Sequence, residues 1–226
     1  MRRSLITFTG AVVIGVAISV AGPALACTPS VPDLGPEGYC GKYRGGPKTT
    51  FYKTPDGRLG TFFHYDTLAD LLDALPSDDE MRQLATWRPA GPPARLAEEN
   101  QNVEVPAYIV AVKPGEDDHD LHVIISDRPR GANRHFMNVE VSGLPRDHLH
   151  EADFVRVRSE IRAILLEVGA ASGGYIRINP PAQVLIQGSL YFDGDHNAGC
   201  GSCPGPSYAK PTTVWEIHPV YSIKAQ

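Results

Sequence analysis

The chain has 226 residues, with 21 basic side chains against 26 acidic ones and a formal net charge of −5. An acidic chain without a Lys/Arg run is repelled by a phosphate backbone, so nonspecific nucleic-acid binding is disfavoured. Twenty prolines and twenty-two glycines suit a loop-rich β protein.

Met1-Arg2-Arg3 is a short positive start, and no charge follows from Ser4 to Pro32. Within that stretch Ala11–Val20 is an apolar run, Gly22-Pro23 breaks it, and Ala24-Leu25-Ala26 supplies a small-x-small cleavage pattern. Charge, greasy helix and small residues in that order read as a cleavable signal peptide over residues 1–26. The protein is therefore expected to be exported, periplasmic or secreted, with no transmembrane segment after cleavage. Cys27 directly follows Ala26, which raises a lipoprotein alternative. The large aliphatic residue usual three positions before a lipidated cysteine is Ala24 here, so ordinary cleavage is preferred. Cleavage removes Arg2 and Arg3 and no acid, taking the net charge from −5 to −7.

The four cysteines are Cys27, Cys40, Cys200 and Cys203. Outside the cytoplasm an even count predicts two disulfides. Cys27–Cys40 with Cys200–Cys203 is the local solution; two bridges from the N-terminus to the late loop are the other.

Residues 27–97 read as a loop-rich segment with short helices. Thr49–Lys53 and Leu59–His64 are short extended pieces around Pro55-Asp56-Gly57. Apolar spacing predicts a helix over Asp66–Leu75 with Asp66 as its cap, ended by Pro76. Ser77 and Glu80 have capping-box spacing and open a second helix to about Thr86. Pro89, Pro92 and Pro93 mark a linker.

Residues 98–226 alternate instead. Val103 to Ala111, Leu121 to Ile125 and Met137 to Val141 read as three strands, Glu151–Val168 as a helix with Phe154, Val157, Ile161, Ile164 and Leu165 on one face, and Val184–Phe192 and Val214–Lys224 as two more strands. Three strands, a helix and two strands is the order of an OB-fold, a five-stranded Greek-key barrel. The expected fold is mainly β: an OB-fold-like barrel with one helix, preceded by the loop-rich segment. Val105, Ile109, Val123, Ile125, Val139, Ile161, Ile186, Trp215 and Ile217 are its expected core.

The same alternation selects the candidate functional residues. If Leu121, Val123 and Ile125 face inward, Asp120 and His122 face outward; so do Glu140 on the third strand and Glu216 and His218 on the fifth. An OB barrel makes these strands neighbours, so two imidazoles and several carboxylates could share a surface suited to acid–base work or a divalent ion. Alternation in any half-buried sheet also produces an ordinary solvated face. Two strand spacings, roughly 10 Å, separate His122 from His218, with Glu140 between them. That favours a shared hydrogen-bond network, in which Glu216 or Asp120 orients a ring, over joint ligation of one ion. No metal and no cofactor is assigned.

Asp193-Gly194-Asp195-His196 follows the fourth strand and adds Asp193 and His196 as candidates, since loops at strand ends often carry function. The single Cys200-Gly201-Ser202-Cys203 is read as a disulfide before a zinc loop or a redox pair. Glu116 to Asp120 lacks calcium-loop spacing, and there is no Gly-x-Ser-x-Gly, P-loop or His-Glu-x-x-His.

The Asp-x-His strand at Asp120–His122, the Phe-Asp-x-x-His turn at Phe192–His196 and the closing Trp215-Glu216-Ile217-His218-Pro219 strand resemble a group of uncharacterised exported bacterial OB-fold-like proteins. The resemblance covers residues 98–226 and implies the fold and a motif set of Asp120, His122, Asp193, His196, Glu216 and His218, without an activity. The expected function is a noncatalytic binding module for a saccharide, peptide or protein partner outside the cytoplasm. The alternative is an extracytoplasmic hydrolase, with or without a metal ion, using the clustered histidines and carboxylates.

Overall fold

Period-two alternation of apolar residues gives five strands too hydrophobic on one face to remain open, and they close on themselves. The computed structural model describes residues 45–84, 95–114, 119–144, 151–167, 174–194 and 203–226. The barrel strands are β2 (Asn102–Pro114), β3 (Leu121–Ser126), β4 (Phe136–Val141), β5 (Ile176–Phe192) and β6 (Trp215–Ala225). A short strand β1 (Phe62–His64) precedes them. The sheet order is β1-β2-β3-β4-β6-β5, and β5 pairs back onto β2. Strands β2 to β6 thus form a closed five-stranded barrel, with β1 as an extra strand parallel to β2. Parallel pairing of β4 with β6, beside otherwise antiparallel neighbours, gives the barrel an OB-fold-like order.

Every residue expected in the core is buried, and all nine belong to one apolar cluster. Trp215 packs edge-on against Phe192, with ring centroids 5.3 Å apart, and its indole N–H donates to the Pro76 carbonyl at 2.8 Å. Strand β5 begins at Ile176, eight residues before the alternation becomes visible, because Asn179-Pro180-Pro181 interrupts the pattern. Near Gly188 the β5–β6 register shifts; a Cβ there would collide with the Ile217 side chain and the Pro219 carbonyl, so the close approach requires glycine.

Among the described residues four α-helices accompany the barrel: α1 (Gly45–Thr49), α2 (Leu68–Ala74), α3 (Asp78–Gln83) and α4 (Glu151–Glu167). Thr67, not Asp66, caps α2, its hydroxyl accepting from the Asp70 N–H at 3.1 Å; Asp66 lies one residue too early. Ser77 and Glu80 make the capping box of α3. Leu68, Leu71 and Met81 join the main core beside the start of β6, where Asp78 also accepts from the Thr213 hydroxyl. Helix α4 buries Val157 and Ile161 in the same core. Its buried Arg158 donates to the carbonyls of Val141 and Ser142 at 3.2 and 2.7 Å, tying the helix to the end of β4. None of the described helices is long and apolar enough to cross a membrane.

The segment before the barrel is held on it by the buried Asn102 and the half-buried Arg95. Asn102 donates to the carbonyls of Tyr52 and Gly60 at 3.1 and 2.8 Å and accepts from Ser189 at 2.6 Å. Arg95 donates to Pro47 O at 2.7 Å, Thr50 O at 2.8 Å and His218 O at 3.2 Å, and also to Leu190 O. One guanidinium thereby clamps the residues around α1 onto β5 and β6. Cys203 is buried and is not a free thiol. Cys27, Cys40 and Cys200, and the whole segment read as a signal peptide, lie outside the described residues.

Candidate functional site: a buried carboxylate–imidazole network

Alternation turns Val123, Val139 and Ile217 into the barrel and their neighbours outward. Register then lines those neighbours up: His122 pairs with Glu140 across β3 and β4, and Asn138 pairs with Glu216 across β4 and β6. The outward face so formed is not solvated. Asp120, Asn138, Glu140, Glu216 and His218 are all buried, with Asp120 and His218 at 0 % exposure. The sheet's second face is covered because α1, clamped by Arg95, lies against β6, and because Phe51, Leu144 and Phe154 pack beside it. Sequence alternation separates the two faces of a sheet but does not reveal what will cover the outer one.

Glu140 is the hub. Its Oε1 lies 2.8 Å from His122 Nδ1, and its Oε2 lies 3.0 Å from His218 Nδ1 and 3.9 Å from Lys48 Nζ. His218 reaches a second carboxylate through its other nitrogen, Nε2 lying 3.3 Å from Asp120 Oδ2. Asp120 is held in turn by the Gly143 N–H, which donates to Oδ1 at 2.6 Å. Asn138 donates to Glu140 Oε1 and Glu216 Oε1, both at 2.7 Å. Glu216 Oε2 stands 3.7 Å from His218 Nδ1. Tyr191 packs its ring 5.5 Å from the His218 ring, and the Lys48 ammonium sits 5.4 Å from the Tyr191 centroid.

The two central glutamates are driven apart in acidity. Burial pushes Glu140 up, but the charges of His122 and Lys48 and hydrogen bonds from both histidines hold it well below the ordinary range. Burial raises Glu216 well above that range, and the charges of Glu140 and Asp193 add to it. Burial alone would lower Lys48; Glu140, Tyr191, Asp193 and Asp120 outweigh it and raise the ammonium well above its usual value. Tyr175 is likewise raised, by burial first and then by Glu140 and Glu216. The network therefore favours the ionised form of Glu140, the protonated form of Glu216 and the charged form of Lys48.

Of the residues singled out in the sequence, Asp120, His122, Glu140, Glu216 and His218 come together here. Asp193 is buried at the end of β5 and contributes its charge to Lys48 and Glu216. His196 lies outside the described residues. Sequence reasoning missed Lys48, Arg95, Asn138 and Tyr191. Asn138 shares the outward parity of Glu140 and was recoverable on that ground; Lys48 and Arg95 come from irregular segments with no periodicity to place them.

Asp120, Glu140 and His218 offer ligand atoms that lie within 4.8 Å of one another. As oriented, however, His218 gives Nε2 to Asp120 and Nδ1 to Glu140, so its two nitrogens serve different carboxylates. Lys48 already brings a cation to Glu140. The arrangement is that of an imidazole bridging two acids inside a charge-compensated network. Comparison with known proteins found no matching family model, no matching curated protein and no matching solved structure.

Proposed function

We propose that the protein is an exported, noncatalytic binding module for a saccharide, peptide or protein partner, with its cysteines paired as disulfides. The observation that carries the noncatalytic part is burial: a hydrolytic acid–base pair must touch its substrate, and His218 and Asp120 have no exposed side-chain surface. The export reading is supported by the charge, apolar run and cleavage pattern of residues 1–26.

A metal-dependent hydrolase is the second reading, and the convergence of Asp120, Glu140 and His218 is the observation in its favour. Calorimetric titration of the purified protein with zinc separates the two, repeated on His122→Ala and His218→Ala, with circular dichroism to establish folding. The binding-module reading expects no tight one-to-one uptake by the parent protein. Tight zinc binding that disappears in folded His218→Ala would overturn it in favour of the hydrolase.

A further inference from the structure

The basic residues around the β3–β4 loop are disposed unlike the acid network. The loop from Asp127 to His135 is closed by its own ends: Asp127 accepts from the His135 N–H at 3.0 Å and from Arg128 Nε at 3.1 Å. Arg128 also reaches the Asn133 carbonyl at 3.3 Å, and Gly131 and Asn133 take positive φ to complete the turn. The acid and the first arginine of the loop are thereby spent on each other. Arg130 and Arg134 are not; with Arg177 from the start of β5 they line a cavity of about 310 Å³.

None of these three guanidiniums pairs with a carboxylate among the described residues. Arg130 makes no hydrogen bond or ion pair there. Arg134 donates to the Pro129 carbonyl at 3.3 Å and lies over the Phe136 ring at 4.8 Å. Arg177 lies over the Tyr208 ring at 4.9 Å, which fixes the plane of its fork without using its donors on an acid. The other walls are Val110, Ile178, Pro129 and Pro181, with Asn179 as a neutral polar group, and no acidic residue lines the cavity among the described residues.

Three like charges lining one cavity repel one another, and no carboxylate among the described residues of its lining offsets that repulsion locally. Each guanidinium keeps donors in a planar fork that matches two oxygens of a phosphate or carboxylate. The volume is at the small end for a ligand site, which fits a compact organic anion better than a polymer groove.

We propose that this cavity binds a small organic anion bearing phosphate or carboxylate groups, gripped by Arg130, Arg134 and Arg177 with its carbon skeleton against Tyr208 and the proline walls. The proposal goes beyond the saccharide, peptide or protein partner of the binding-module reading and adds a separate site for a small anion. It does not involve the buried network, so zinc titration and anion titration fail independently.

The test is calorimetric titration of the full chain at low ionic strength with inorganic phosphate and, separately, with citrate. Saturable one-to-one binding is expected for at least one probe. Arg130→Ala and Arg177→Ala should each weaken it by about tenfold or more, as loss of a charge-assisted contact does. Lys53→Ala, an exposed cation outside the cavity, serves as the control for general charge. Binding of phosphate alone assigns a phosphate ligand, binding of citrate alone a carboxylate ligand, and either supports the site. Absence of saturable binding by both probes overturns it, as does equal weakening by Lys53→Ala.

Discussion

The buried network and the arginine cavity are both built from charged side chains on the outer side of one barrel, and a small apolar cluster joins them. Val110 lines the cavity, Ile124 follows His122 on β3 at the interval of one outward position, and Tyr175 packs against both while feeling the charge of Glu140 and Glu216. In the network every charge has a partner of opposite sign or a hydrogen bond, and all but the half-buried His122 are buried. In the cavity like charges stand together and water has access. The first pattern is how a fold makes burial of ionisable groups tolerable; the second makes sense in terms of what lies outside the fold. Histidines and carboxylates that look catalytic in the sequence are thus largely buried, while arginines scattered at positions 130, 134 and 177 line the cavity proposed above as a binding site.

The sharpest way to break this comparison is to remove the cation of the network. Lys48→Met leaves Glu140 beside Asp120, Asp193 and Glu216 without its lysine, in a space that water does not reach. Loss of one member of a buried pair costs about 3–5 kcal/mol. Urea unfolding should place this variant alongside Trp215→Ala, where an emptied core site costs about 3–5 kcal/mol by a purely apolar route. A loss below about 1 kcal/mol for Lys48→Met would mean that the network is hydrated and the contrast with the cavity is false.

A smaller effect separates the two glutamates by pH. Glu140 is depressed when folded, so its contribution is present above the ordinary value near 4.5 and is lost as pH falls through its lowered value. Glu216 is raised, so its contribution is complete below that ordinary value and declines as pH rises toward its elevated one. Glu216→Gln keeps an oxygen for Asn138 and removes the ionisation. Between about pH 2 and pH 8, unfolding free energies of this variant should lose the decline on the alkaline side while keeping the loss in acid. An unchanged pH profile would show that Glu216 ionises freely and that its site is not dry.

The barrel was legible in the sequence because alternation is strong wherever a strand has a core on one side: Val123, Val139 and Ile217 fall on the predicted face, and α4 sits where an OB order requires it. The gathering of His122, Glu140 and His218 was legible for the same reason, since parity and strand order fix which outward residues are neighbours. Their burial was not. It depends on Lys48 and Arg95, which stand in Gly- and Pro-rich stretches whose conformation is set by contacts with β5 and β6 and not by local preference. The cavity escaped for a related reason. Arg177 precedes Asn179-Pro180-Pro181, where alternation fails, and the pairing of Ala111 with Arg177 and of Val112 with Ile176 brings the start of β5 beside the β3–β4 loop.

The smallest expected effect is the most discriminating for the cavity. If Arg130 and Arg177 serve an external ligand, the fold does not depend on them. Arg130 makes no contact among the described residues that its loss would break, and the loop bearing it is held by Asp127, Arg128 and the His135 N–H. Arg177 would forfeit its contact with Tyr208, but truncation also relieves repulsion within the arginine group. Unfolding of Arg130→Ala and Arg177→Ala should therefore fall within about 0.5 kcal/mol of the parent, in the range of exposed substitutions away from structural features. Low salt is the condition to use, because screening at high salt would hide a gain from relieved repulsion. A modest stabilisation at low salt that vanishes as salt is added would identify the three arginines as mutually repelling groups retained at the expense of the fold. A loss of about 2 kcal/mol or more in either variant would instead make the arginines part of the scaffold, and the distinction between a sealed structural network and an open binding site would fail at its second half.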